Sequence, residues 1–353
     1  MNLTTSMFLS STNISLVRLT ATDTSHEQSR GLVSAEVRHS FIVTCLVVIG
    51  QIVCLFGIGA NIASIIIFKK HGFDDTVNIS LFALAISDLG ALVAQQWFNI
   101  CVNPWFENSD IPFSSMEIQN LTAGYPRRYF TKTAGWITAF VTFERCLCIA
   151  KPLKVKSLIT RRVAIAVTIG IYIIIIPSIL PGYLTSYFDW KFYPTKNRTL
   201  LGLMFTADGK EVMGSSLFVT DALVPLLSFG CVVVCTLIIA VKLKEKDKWR
   251  EKVSSEANTP GQMSRKNRKV VVMICVISGI FIFCTSPISA LLVARSVEPE
   301  LTVIGRYANL TWLLASLGML TETVNSSINA VVYYNMSTKY RDTFRDLLRC
   351  RSK

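Results

Sequence analysis

The chain has 353 residues, of which 51% are hydrophobic and 17% charged, where ordinary soluble domains carry about 25% charged residues. A soluble protein this apolar lacks the polar side chains to cover its own surface. The formal net charge of +13 is gathered mostly in the links on one side of the apolar blocks, so the partner it implies is a lipid bilayer and no nucleic acid.

The first 40 residues are polar and rich in Ser and Thr, and they read as a flexible tail. The tail has no apolar core behind a basic start, so it does not read as a signal peptide. Seven apolar blocks follow, each long enough to cross a bilayer, which takes about 20 residues. They are Phe41–Phe68, Asn78–Cys101, Gly124–Ala150, Val163–Thr185, Ser215–Val241, Val270–Ala294 and Val303–Tyr333. Runs such as Ile169 to Ile176 are apolar on every face, which argues for lipid rather than the core of a soluble bundle. The predicted fold is therefore an all-α bundle of seven membrane-spanning helices over residues 41–335, with a short tail over 336–353.

Basic residues collect on one side of this bundle. Lys69, Lys70, Lys151, Lys154, Lys156, Arg161 and Arg162 lie there, with ten Lys and Arg between Lys242 and Lys269 and six from Lys339 onward. The positive-inside rule then puts the C-terminus in the cytoplasm and the N-terminus outside. Five Asn-x-Ser/Thr sequons, at Asn2, Asn13, Asn120, Asn197 and Asn309, fall on or near the outer side and read as glycosylation acceptors. On the inner side, Glu144-Arg145 closes the third block. An acid–Arg pair at the end of a span is costly to bury and marks function.

Several short motifs stand in order along the blocks. They are Gly59-Ala60-Asn61, Leu84-Ala85-Ile86-Ser87-Asp88, Trp105, Glu144-Arg145-Cys146, Pro225, Phe281 with Cys284 and Pro287, and Asn329-Ala330-Val331-Val332-Tyr333. Their order resembles that of rhodopsin-like (class A) G-protein-coupled receptors. The stretch around Glu144-Arg145 and Pro152-Leu153 is similar to that of invertebrate chemosensory and peptide receptors. The resemblance covers residues 40–350. It implies a plasma-membrane receptor that binds an extracellular peptide or small molecule and activates a heterotrimeric G protein. Arg145 is then held by Glu144 at rest and meets the G protein when active, Tyr333 swings into the bundle, and Pro287 lets the sixth span bend. An amphipathic eighth helix follows Ser337, with Cys350 as a lipidation site. Asp88, with Asn61, Asn325, Ser326 and Asn329, either holds an allosteric sodium ion or forms a hydrogen-bonded cluster that only joins helices. Ala134 stands where sodium-binding members carry a Ser. No other cofactor is expected.

The chain departs from the family at several points. The sixth-span Trp is Thr285, the seventh-span Pro is Ala330, the fifth-span Tyr is Val233, and Arg265–Lys269 holds no acid to restrain Arg145. Neither Val102–Lys132 nor Phe188–Ser216 contains a Cys, so the family's disulfide between the third span and the second outer loop cannot form. The loop Thr185–Ser215 is then either held in another way or mobile.

Counting back from Arg145 puts Arg127, Arg128 and Lys132 in the outer half of the third span, with Glu322 of the seventh as a partner. Either they line an anion-binding pocket, together with Thr285, or they belong to a loop and the span starts later. No Lys lies in the seventh span, which excludes a retinal Schiff base. The three His are scattered in loops and no catalytic motif is present, so an enzyme is not expected. The alternatives to a signalling receptor are a non-signalling receptor-like protein and a transporter or channel.

Overall fold

The structure is a computed structural model and describes residues 32–150, 158–194, 196–207, 218–253, 262–298, 300–302 and 305–350. Its helices are α1 (Ala35–His71), α2 (Thr76–Val102), α3 (Ser115–Ala150), α4 (Arg161–Thr185), α5 (Val224–Val253), α6 (Gln262–Val297), α7 (Ala308–Met336) and α8 (Thr338–Cys350). A π-helical turn, Phe218–Leu223, leads into α5. Side-chain caps fix three of the starts. Ser34 accepts from the Val37 amide, Asp75 from Val77 and Thr160 from Val163.

These bounds correct two expectations. Residues 35–40, read as flexible tail, form the first turns of α1. The third span begins well before Gly124, so Arg127, Arg128 and Lys132 are helical and the loop alternative for them is closed. Ser215, expected to open the fifth span, lies outside the described residues, as do Asn2 and Asn13.

Among the described residues, six helices are long and apolar enough to cross a membrane on composition alone. The seventh, α7, is 29 residues long, about 43 Å at the usual helical rise, which exceeds a hydrocarbon core of about 30 Å. It fails on hydropathy because Thr311, Ser316, Thr323, Ser326, Ser327 and Asn329 are buried inside the bundle. Its polarity is that of an inward-facing helix.

Helices α2 and α3 form the centre. In its most apolar window α2 is 67% buried, against 17% for α4. The outer helices expose Ile173, Ile174, Leu227, Leu237 and Phe283, a belt that water would not tolerate and lipid tails solvate. Helix α1 meets α7 through a close backbone approach. A Cβ at Gly57 would fall 2.2 Å from Ser327 Oγ and 2.8 Å from Leu92, and Ser327 Oγ donates to the Val53 carbonyl at 3.1 Å. Small residues at such contacts are how membrane helices associate without a hydrophobic force between them.

The loop after α4 is not free. It forms an antiparallel hairpin, β1 (Ser186–Tyr193) with β2 (Arg198–Phe205), in the register Ser186↔Phe205 to Tyr193↔Arg198. Its apolar side chains Phe188, Leu203 and Phe205 pack on Leu121 and Tyr125 of α3. At the opposite end of the bundle, α8 docks through Tyr340. Its hydroxyl bonds Ser64 Oγ at 2.8 Å and its ring packs on Phe68. Cys350 is the last residue of α8.

Of the described sequons, Asn197 is exposed at the hairpin turn. Asn120 and Asn309 sit in helices. Asn120 is inside α3, and its sequon Thr122 both accepts from Trp97 Nε1 and donates to the Ile118 carbonyl. Asn309 lies in the first turn of α7 and donates to the Val33 carbonyl while accepting from Arg38. Asn120 and Asn309 are half-buried, while Thr122 is exposed.

Replacing Gly57 by Val should lower stability by about 1–3 kcal/mol through overpacking, read as a drop in melting temperature of the purified protein. Gly59→Ala, with nothing within 4 Å of the added carbon, should leave that temperature unchanged.

Candidate functional site

Three polar clusters lie along the bundle, and α3 runs past all of them. The first is at the hairpin end. Arg127 Nη1 donates to Glu322 Oε2 of α7 at 2.7 Å. Lys132 Nζ, on a side chain 4% exposed, donates to Asp221 Oδ1 at 2.7 Å, with Ser178 Oγ at 3.4 Å. Arg128 is 3.6 Å from the other oxygen of Asp221 and stacks over the Tyr125 ring at 4.5 Å, and its Nε is buried without an acceptor. The expected pairing of this group with Glu322 is present at Arg127, and Asp221 is a second carboxylate beside Arg128 and Lys132. Each cation already faces a carboxylate, because unpaired charge in a low-dielectric bundle is too costly to keep.

Asp221 is the residue that sequence reasoning missed. An acid at the start of an otherwise apolar span was the available signal. Arg295 of α6 also interacts electrostatically with Asp221. Arg127, Arg128 and Lys132 thus share two carboxylates, and the cluster keeps a positive surplus.

A narrow crevice, with room for about one water molecule, runs inward from the Arg127–Glu322 pair along Leu92, Gln95, Thr131 and Ser326. Thr285 does not line it and sits half-buried on α6.

The crevice leads toward the second cluster. Asp88 is fully buried, and its Oδ2 accepts from Asn329 Nδ2 at 2.9 Å. Ser326 lies close enough to influence the carboxylate electrostatically. Asp88 Oδ1 and Asn329 Oδ1 are buried acceptors without a donor. Asn61 is one step removed, donating to the carbonyls of Ser326 and Gly57. No hydrogen bond joins Asn325 to Asp88. Adjacent residues on a helix point about 100° apart, so Asn325 and Ser326 cannot both face one carboxylate.

The third cluster is at the α8 end. Glu144 is 2% exposed, and its Oε1 accepts from Arg145 Nη2 at 2.5 Å. The same oxygen accepts from the Thr76 hydroxyl at the start of α2. Thr76 was not foreseen, and a hydroxyl at a helix start carries no signal beyond capping. Arg145 is thus turned toward its own neighbour. Nearby, Tyr333 is buried between Phe68 and Tyr340, ring centroids 5.2 and 5.6 Å away, and its hydroxyl has no partner. Pro287 sits inside α6, where its missing N–H frees the Phe283 carbonyl. Ser286 Oγ donates to that carbonyl at 2.9 Å, so the bend point is kept without an orphaned acceptor.

Residues 47–351 match the family described as serpentine type 7TM GPCR chemoreceptor Srw. The chain belongs to this family of G-protein-coupled receptors. Among curated proteins it is similar to the FMRFamide peptide receptor frpr-18 of Caenorhabditis elegans, 23% identical over 84% of this chain and 68% of that protein. The Tachykinin-like peptides receptor 86C of Drosophila melanogaster is 25% identical over 83% of this chain and 56% of its own length. The Allatostatin-A receptor of Bombyx mori is 19% identical over 83% and 76%.

A receptor of this kind binds an extracellular ligand and signals through a G protein, and the switch region must hold α6 in place until then. No acid from α6 was expected to do so, and the structure offers another link. Thr142 Oγ1 and Ser278 Oγ, both fully buried, are 2.8 Å apart across the α3–α6 interface, and Thr142 also donates to the Thr138 carbonyl. This bond lies one helical turn from Arg145. It ties α3 to α6.

Two measurements test the switch. At equal surface expression, Glu144→Gln should raise basal G-protein signalling, because Arg145 loses its charged partner; unchanged output would count against the restraint. Ser278→Ala should also raise it, by about five-fold if the hydroxyl bond is worth about 1 kcal/mol. Thr142→Val combined with Ser278→Ala should add little beyond the single change, since both remove one bond.

Proposed function

We propose that the receptor stands in the plasma membrane with the hairpin end outside and α8 in the cytoplasm, and that its ligand is a peptide presenting an acidic group. The surplus of cations in the hairpin-end cluster carries the reading. A carboxylate entering beside Arg128 meets a buried, unfilled donor and an arginine whose planar fork suits it. The relatives are named as receptors for FMRFamide, tachykinin-like and allatostatin-A peptides, which supports a peptide over a smaller chemosensory molecule. At the other end Arg145, released from Glu144, faces a heterotrimeric G protein, with Tyr333 and Pro287 allowing α7 and α6 to rearrange. The basic end of α5, from Lys242 onward, would face the inner leaflet or the G protein.

The Asp88 cluster suits a sodium ion in part. Asp88 and Asn329 supply free oxygens of the kind a hard cation takes, with Ser326 beside them, while Ala134 supplies none. Waters would complete the shell, and the ion would stabilise the resting arrangement of α2 and α7 around Asp88.

The test is a screen of acidic peptides, neutral peptides and small carboxylic acids, in cells expressing the receptor with a promiscuous G protein. Acidic peptides should activate, and Arg128→Gln should weaken them by at least about ten-fold, the loss of one charge-assisted hydrogen bond. Activation by neutral peptides that survives Arg128→Gln would refute the acidic ligand. No response to any class, with surface expression confirmed, would refute signalling by this chain.

A further inference from the structure

The hairpin over the ligand cluster has no covalent tie, since neither Val102–Lys132 nor Phe188–Ser216 contains a Cys. It is nevertheless fixed, and its contacts converge on one side chain. Glu117, in the first turn of α3, is 3% exposed although charged. Its Oε2 accepts from the Leu203 backbone amide of β2 at 2.7 Å. Its Oε1 accepts from Lys191 Nζ of β1 at 3.2 Å. One carboxylate therefore holds both strands.

The surroundings are shaped for it. Tyr193 of β1 is buried beside the carboxylate, and burial together with that negative charge pushes its phenol above the usual range. Position 202 must be Gly, because a Cβ there would fall 2.2 Å from Tyr193 Oη and 2.7 Å from Glu117 Oε2. The start of α3 favours a negative side chain, since its first amides lack helical partners. A short backbone ladder runs alongside, with Ser114 N on the Leu201 carbonyl at 2.9 Å and Leu201 N on the Pro112 carbonyl at 3.0 Å. Lys196 on the Glu107 carbonyl at 2.6 Å and the exposed Arg198–Asp110 pair add contacts at the hairpin tip.

We propose that Glu117 is the positioning residue that fixes the hairpin as a lid on the ligand cluster, a carboxylate clamp doing the work of the absent disulfide. The clamp reaches the cluster through packing. Phe188 and Leu203 rest on Tyr125, and Tyr125 carries Arg128 on its ring. Unlike a disulfide, this tie opens and recloses without chemistry, so the lid admits a ligand by a local opening. The lid role rests on the receptor reading above, but the clamp itself does not.

Hydrogen exchange on the purified full-length receptor, with no ligand added, tests the clamp. In Glu117→Ala the amides of 186–205 should exchange roughly ten-fold faster than in the unmodified receptor, while α2, α6 and α7 keep their protection. Lys191→Met should give a smaller increase, since Leu203 keeps its acceptor. Glu117→Asp, which retains the charge, should recover part of the protection that Glu117→Ala loses. Unchanged exchange in the hairpin of Glu117→Ala would overturn the clamp. Equal loss of protection across the bundle, unrelieved by Asp, would overturn it as well, by making Glu117 a general determinant of folding. Both outcomes are read without signalling, so failure of the ligand screen and failure of the clamp remain separate.

Discussion

The constraint that organises this molecule is the cost of charge in a bundle without water. A lone ion at bilayer depth is opposed by several kcal/mol, so a charge persists there only with a partner. Each cluster obeys this. Arg127 has Glu322, Lys132 and Arg128 share Asp221, and Arg145 has Glu144. Asp88 has no cation partner among the described residues and takes Asn329 instead. The apolar belt is what lets the chain sit in lipid, but the charged pairs decide which helices lie next to which. Arg127–Glu322 joins α3 to α7, and Lys132–Asp221 joins α3 to the start of α5. Glu144 joins α3 to α2 through Thr76.

Partner choice is also where function enters. A pair such as Arg127–Glu322 is stable because neither charge has anything better. A ligand that offers either side chain a partner of its own changes that balance, and the two helices are then free to shift. The same reasoning applies at the far end, where Glu144 accepts from both Arg145 and Thr76 on one oxygen while its other oxygen is buried without a donor. Sites of this kind are held shut by local pairing rather than by deep packing, and so a binding event of ordinary strength is able to bias them.

The span pattern and the motif order were legible in the sequence because both are periodic, local properties of the chain. Asp88, Glu144, Arg145 and Asn329 were legible because polar residues in apolar runs stand out. The cation group on α3 was half legible: the charges and their partner Glu322 stand out in apolar runs, whereas the pairing of Asp221 with Lys132 and Arg128 depends on how α3 and α5 meet. The hairpin was not legible. Its strands carry no tight-turn signature, and what stabilises them is a carboxylate some 70 residues upstream and the packing of Phe188 and Leu203 on Tyr125. Such long-range contacts leave no spacing pattern. Asn120 and Asn309 satisfy the sequon motif, yet Thr122 of the first sequon accepts from Trp97 and the Asn309 side chain bonds Arg38 of α1.

Helix α3 carries Glu117 at its start, Arg127, Arg128 and Lys132 a few turns on, and then Thr142, Glu144 and Arg145. From Arg127 to Arg145 the helix covers about 27 Å at its regular rise. A rigid rod of this kind has no internal hinge with which to pass a signal, so what it transmits is a small change in its own position. That change is resolved at whichever partner has two arrangements. At the α8 end three such partners meet. The Thr142–Ser278 bond either exists or does not, Arg145 either faces Glu144 or leaves it, and the unpaired Tyr333 hydroxyl gains a partner only if the ring moves. The last of these biases the system, because a buried hydroxyl without a partner costs about 1–3 kcal/mol. The packing of Tyr333 against Phe68 and Tyr340 holds that cost in place.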